Sequence, residues 1–320
     1  AWKAKIPFPP NVHVFPTDAV ERVPLVVDGE EVAAIYGQSY AKSEQRDNLA
    51  WKFNRAAGDR FSIGMLHTQV GSRDSTYAPC TLEDLKECGM DYWALGHIHK
   101  HEILCEKPYV VYAGNPQGLD CTETGPRGCY YVEVGPYGTT DLEFIDTSIV
   151  RWESIDLAID GIESVSELRE SVRFAKEKVR RDIGKPTFLT VNFTGSGSMY
   201  HVLNNPEATQ YWLESWREEE QGKYAFVMVE RLRNLARPKM NMDERSKLPD
   251  SVGDYLNVFD KLEKLAPEER AKALRDILMS RPEFERLGAY GRALTDQRLL
   301  ETFEKAKWLG VQKLLEHRRG

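Results

Sequence analysis

Hydrophobic positions along the first 67 residues fall into short runs, VHVF, PLVV, EVAAIYG and FSIGMLH, each of strand length. Between the third and fourth runs lies an amphipathic stretch from Glu44 to Ala57, so this part reads as an α/β layer arrangement. Thr81 is placed as an N-cap, with Glu83 and Asp84 in the first turn of a short helix that stops near Cys88-Gly89. The apolar run YWALGHI follows as a buried strand. From 101 to 147 the pattern turns to strands alone, EILC, YVVYAGN, GCYYVEV and TDLEFID, broken by Gly, Pro and Asn. That punctuation predicts an antiparallel sheet.

Beyond Arg151 the pattern predicts a strand over Trp152 to Ile159, a charged helix over Ser164 to Asp182, and a strand over PTFLTVNF. A turn at Gly195 to Ser198, an acidic helix over Pro206 to Glu220 with Trp212 and Trp216, and the strand KYAFVMVERL complete a small α+β unit ending near Met240. From 251 onward apolar residues recur at helical spacing (Tyr255, Val258, Phe259, Leu262; then Leu299, Leu300, Phe303, Ala306), with breaks at Pro267, Pro282 and Gly288. The expected segments are therefore 1-150, 151-240 and 241-320.

The chain of 320 residues is longer than one hydrophobic core ordinarily serves, which agrees with that division. With 41% hydrophobic and 29% charged residues it is globular, and its longest apolar runs, such as Ala225 to Val229, are far short of the roughly 20 residues a spanning helix needs. No membrane partner is expected. Cysteines at 80, 88, 105, 121 and 129 form an odd set without a C-x-x-C pair, which points to a reducing cytoplasm and against a disulfide framework. A net charge of -7 excludes binding of polyanions by bulk attraction, so a nucleic-acid site requires a local basic patch or a metal-assisted cleft.

Four of the seven histidines, His67, His97, His99 and His101, lie within 35 residues. Strand-like residues precede both His67 and His97, so these imidazoles are expected at the carboxyl ends of buried strands, the edge where open α/β sheets bind ligands. Imidazole suits Zn, Mn and Fe, and an H-x-H pair leaving a strand can aim two rings at one site. Gly96 is expected to permit close backbone approach to a metal or phosphate. His101 is read as a surface or supporting residue, and His13, His201 and His317 as structural ones. A mononuclear three-histidine zinc centre is one alternative, weakened by the scarcity of carboxylates at strand ends, since the aspartates between 60 and 115 are Asp74, Asp84 in the short helix, and Asp91.

Leu66-His67-Thr68, TLEDLKECG, DYWALGHIHK, YVVYAGNPQG and RGCYYVEV together resemble the second half of a calcineurin-like metallophosphoesterase, nearest to the bacterial DNA-repair exonucleases. The resemblance covers about 11-147 and continues loosely to 240. It implies an α/β fold: the C-terminal part of a metallophosphoesterase β-sandwich flanked by helices, then an α+β capping domain and a helical tail. It also implies two Mn2+ ions, with His67 and His97 on one and His99 on the other, and phosphodiester hydrolysis by a metal-bridging hydroxide. The family's D-x-H, G-D-x-x-D and G-N-H-D/E motifs are absent from these residues. The chain is thus expected to begin just after the third motif, to hold no catalytic histidine, and to have little or no nuclease activity as residues 1-320.

By the same resemblance the turn Gly114 to Gly118 borders the cleft, where Asn115 and Gln117 would touch a phosphate or sugar; a plain tight turn is the alternative. Arg231, Arg233, Arg237 and Lys239 are candidate phosphate contacts on DNA, with Lys176, Lys178, Arg180, Arg181 and Lys185 either a second set or a solvated helix face. The tail from Ser251 to His317 would dock on an SMC-like ATPase or pack on its own chain, and a homodimer is expected. Rival readings are a small-molecule or nucleotide phosphoesterase and a non-catalytic scaffold binding DNA or the ATPase.

Overall fold

The computed structural model describes residues 8-72, 74-138, 140-240, 242-285 and 294-316. Contacts group the chain into two units, each discontinuous in sequence, where three consecutive segments were expected. The first comprises Ala1–Asp156, Val172–Asn192 and Gln210–Arg233, and the second Leu157–Ser171, Phe193–Thr209 and Asn234–Gly320.

In the first unit a six-stranded sheet has the order β1-β2-β3-β4-β6-β5, from β1 (Glu21–Val27), β2 (Glu30–Gly37), β3 (Ser62–His67), β4 (Tyr92–Gly96), β5 (Glu102–Glu106) and β6 (Tyr109–Tyr112). The pairs β2-β3, β3-β4 and β4-β6 are parallel, while β1 and β5 pair antiparallel at the two edges. Adjacent residues of its strands serve opposite faces, as the pleat requires. Ala34, Trp93 and Val110 pack with Leu49, Phe53 and Leu85 on one side; Ala33, Tyr92 and Val111 pack with Tyr130, Val132 and Leu142 on the other. The latter three come from the antiparallel hairpin of β7 (Gly128–Val134) and β8 (Thr140–Asp146). The first side is covered by α1 (Leu82–Glu87), which starts in a capping box: Thr81 Oγ1 accepts from Asp84 N at 3.1 Å and the Asp84 carboxylate accepts from Thr81 N at 2.8 Å.

Three expectations change here. Residues 101-147 do not form one antiparallel sheet. YVVY is buried on both faces and enters the main sheet parallel to β4, while only β7 and β8 make a separate hairpin. VHVF carries no strand, and His13 instead pairs with Glu21 at 2.8 Å on the surface. The amphipathic stretch over 44-57 yields a single 3-10 turn, Ala50–Lys52, because its apolar residues Leu49, Ala50 and Phe53 plug the core without needing a helix.

Strands β9 (Arg151–Ala158), β10 (Thr187–Thr194) and β12 (Val227–Asn234) form a second sheet in the order β12-β10-β9. Between them run α2 (Val165–Ile183), β11 (Ser196–Gly197), α3 (Tyr200–Leu203) and α4 (Pro206–Glu218), and β13 (Arg237–Pro238), just after β12, pairs parallel with β11. Leu168, Val172, Lys176 and Val179 make the buried stripe of α2, and Trp212 and Trp216 that of α4. The second unit also holds α5 (Met242–Arg245), α6 (Ser251–Glu263), α7 (Pro267–Met279), α8 (Pro282–Glu285) and α9 (Asp296–Glu316). Pro267 and Pro282 stand at first helical positions, where a missing N–H costs nothing, so each starts a helix. The helices pack on each other: Val252, Leu256 and Val311 share a core, Tyr255 donates to Ala306 O at 2.9 Å, and Lys307 pairs with Glu263 at 2.7 Å. Gly288 and His317 lie outside the described residues. Among those described, no helix is long and apolar enough to cross a membrane.

Candidate metal centre

Parallel pairing of β3 and β4 sets His67 opposite Gly96 and places His97 one residue beyond that rung. The two rings end 5.2 Å apart between centroids, at 70°. A Cβ on Gly96 would stand 3.2 Å from His67 Nδ1, so the glycine makes room for the neighbouring imidazole. Tyr40 meets the His67 ring edge-on at 5.4 Å and donates its hydroxyl to His67 O. Tyr77 stacks on His97 at 4.3 Å and 29°. Partial burial, and then the neighbouring His97 and His99, lower the pKa of His67; burial and His99 lower that of His97. Both shifts favour the neutral ring, the form that ligates a cation.

His97 has φ 110°. A non-glycine residue held there is strained, and such strain concentrates where side chains are aimed for function.

His99, which bears electrostatically on both rings, has a polar contact of its own. Its side chain is 63% exposed, and its Nδ1 lies 2.5 Å from Glu123 Oε1. The Glu123 carboxyl is mostly buried, which alone would raise its pKa. The His99 ring, Leu119 N–H and the Asn115 amide outweigh that and hold it at about 2. Asn115 donates Nδ2 to Glu123 Oε2 at 2.8 Å and accepts from Arg127 Nη1 at 3.2 Å, and Arg127 donates to His99 O as well. Glu123 lies outside the segments that carry the resemblance, Arg127 only opens the segment RGCYYVEV, and the part of each emerges once the chain is folded.

The other expected residues take varied places. Gln117 accepts from Ile149 N and Val150 N at 2.9 and 3.2 Å and donates to Val150 O and Gly118 O at 2.8 Å each, so its amide clasps two chain segments together and has no capacity left for a sugar or phosphate. Q117A is expected to cost about 1–3 kcal/mol in urea unfolding by orphaning those backbone groups; an unchanged midpoint would show the clasp to be idle. His101 is half-buried and stacks on Phe144 of the β7-β8 hairpin at 3.8 Å. Arg231 and Arg233 are exposed and two apart on β12, hence on one face. Arg237 lies 4.8 Å over the Trp308 ring and Lys239 pairs with Glu163 at 3.2 Å, both within the second unit. Lys176, Arg180 and Lys185 are engaged in ion pairs with Glu220 or Asp146, which favours a structural role for that set.

His67 and His97 fit a borderline divalent ion in donor chemistry and proximity, as imidazoles side by side at one sheet edge. Among the described residues no group of three or more His, Cys, Asp or Glu side chains is placed to hold one ion.

Comparison with known proteins bears on this geometry. Residues 152–237 match the family model of the metallophosphoesterase YhaO middle domain. The uncharacterized metallophosphoesterase YhaO of Bacillus subtilis (strain 168) is 33% identical over 241 residues, 74% of this chain and 58% of that protein. Together these matches support the metallophosphoesterase family. The chain spans little more than half the length of the curated relative it matches. The mixed α/β architecture is consistent with that family's fold, and the segment matched by the family model lies within the 151-240 segment expected as an α+β unit.

Proposed function

We propose that this chain is part of a divalent-metal-dependent phosphoester hydrolase in which His67 and His97 hold one ion and His99 a second. The observation that carries this reading is the pair of imidazoles side by side at the ends of two adjacent parallel strands, one of them on a strained backbone. When bound, the metal would supply Lewis-acid stabilisation of the phosphoryl oxygens and a nucleophilic hydroxide near neutral pH. The chain's own contribution is positional. Tyr77 buttresses one face of His97, Gly96 clears space for His67, and Glu123 anchors His99.

The finer reading is a DNA exonuclease using Mn2+, partnered by an SMC-like ATPase and working as a homodimer. The exposed Arg231 and Arg233 on one face of β12 favour a phosphate-backbone substrate over a small phosphoester. A non-catalytic scaffold is the second reading, favoured by the incomplete ligand set among the described residues. The natively expressed polypeptide carrying this chain is the material for the test. With Mn2+ it is expected to hydrolyse bis-p-nitrophenyl phosphate and linear duplex DNA, and to lose both activities on chelation. Retention of either under chelation overturns the metal reading; hydrolysis of the small ester alone removes DNA; no hydrolysis of either leaves the scaffold.

A further inference from the structure

We infer that Glu123 is a positioning residue that locks the His99 imidazole in one tautomer, with the proton on Nδ1 and the lone pair of Nε2 presented to solvent, an inference that rests on the proposed role of His99 in the site.

An imidazole 63% exposed ordinarily turns freely about its two torsions and exchanges tautomers. Here the ring faces a carboxylate that can only accept, so Nδ1 must donate, and in a neutral ring the acceptor is then Nε2. The carboxylate cannot turn away. Its Oε2 is taken by two donors, Asn115 Nδ2 and Leu119 N, both at 2.8 Å, which leaves Oε1 for the ring. Asn115 is oriented in its turn by Arg127, whose Nη1 reaches Asn115 Oδ1 and His99 O. Asn115 N donates to that same carbonyl at 3.1 Å. The chain of bonds leaves the His99 ring and returns to the His99 backbone, so both ends of the residue are held by three side chains.

Two glycines make this closure possible. A Cβ on Gly114 would lie 2.8 Å from His99 O, and one on Gly118 would lie 2.8 Å from Glu123 O. The Gly-Asn-Pro-Gln-Gly turn is thereby explained as the cradle of a histidine, not as a phosphate loop.

The E123Q variant separates positioning from simple packing, because its amide has one oxygen for two demands. Two N–H groups face Oε2, so the new carbonyl is expected there and the new NH2 group against His99, which then accepts through Nδ1 and carries its proton on Nε2. Imidazole tautomers are read by long-range 1H–15N correlation on the intact metal-free chain at about pH 8.5, above the ordinary titration range of histidine. The expected result is Nδ1–H in the wild type and Nε2–H in E123Q, with far-UV circular dichroism unchanged. Wild-type Nε2–H, or the same tautomer in both proteins, overturns the inference, and the wild-type spectrum alone decides if E123Q fails to fold. Titration with Mn2+ alone addresses the underlying reading separately. E123Q is expected to weaken Mn2+ binding about 10–100-fold, as loss of a carboxylate behind a ligating histidine does. A wild-type chain that binds no Mn2+ overturns the metal role of His99 while leaving the tautomer result standing.

Discussion

E220A is expected to destabilise the protein by about 3–5 kcal/mol, the largest effect of any single substitution considered for stability. The Glu220 side chain is 1% exposed and that of Lys176 is 2% exposed, with their charged atoms 2.9 Å apart; Arg180 reaches the second carboxylate oxygen at 2.9 Å and Val227 donates its N–H at 2.9 Å. Removing the carboxylate leaves an ammonium inside the first unit with the half-exposed Glu219, at 3.5 Å, and the Trp216 carbonyl, at 3.4 Å, in compensation. The double replacement K176M/E220L should recover most of the loss, since two apolar groups of similar volume remove both the attraction and its desolvation cost. Urea unfolding checks both, and an E220A midpoint equal to that of the wild type would refute the assignment.

The pH dependence follows with a definite sign. Burial opposes ionisation of Glu220, but the Val227 N–H, Lys176 and Arg180 outweigh it and depress the pKa from 4.5 to about 2. A group depressed on folding adds stability that is complete above its unfolded pKa and is lost as pH falls through the folded one. Acid unfolding should therefore show a loss of stability between pH 4.5 and about 2 that E220A lacks.

Replacing His97 should produce the largest functional loss together with an unusual order of stabilities. With φ 110°, alanine keeps the backbone strain and forfeits the ring, whereas glycine adopts that conformation without penalty. H97G is expected to be more stable than H97A by about 1–3 kcal/mol in thermal or urea unfolding. Both variants remove one imidazole of the pair and the stack on Tyr77, so metal-dependent hydrolysis by the native polypeptide should fall by at least about 100-fold in each. Equal stability of the two variants would deny the strain, and wild-type hydrolysis by either would remove His97 from the site.

Features governed by neighbours one turn or one pleat away were legible in the residues themselves. Thr81 and Asp84 close their capping box three residues apart, and the start of α1 lies where that pattern puts it. The strands ending at His67 and Gly96 are apolar runs stopped by polar residues, so the emergence of both histidines at one sheet edge needed only strand periodicity and parallel pairing. Trp212 and Trp216, four apart, form the buried stripe of α4 for the same local reason. Long-range pairing carried no such signal. The direction of β6, the burial of Lys176 against Glu220 forty-four residues on, the clasp of Gln117 on Val150, and Glu123 behind His99 each join segments whose local patterns are unremarkable alone. Hydrophobic period specifies what a segment becomes and which face it buries. Which buried polar group meets which partner is decided by tertiary packing, because a desolvated charge or amide has to be satisfied by whatever donor or acceptor the fold delivers beside it.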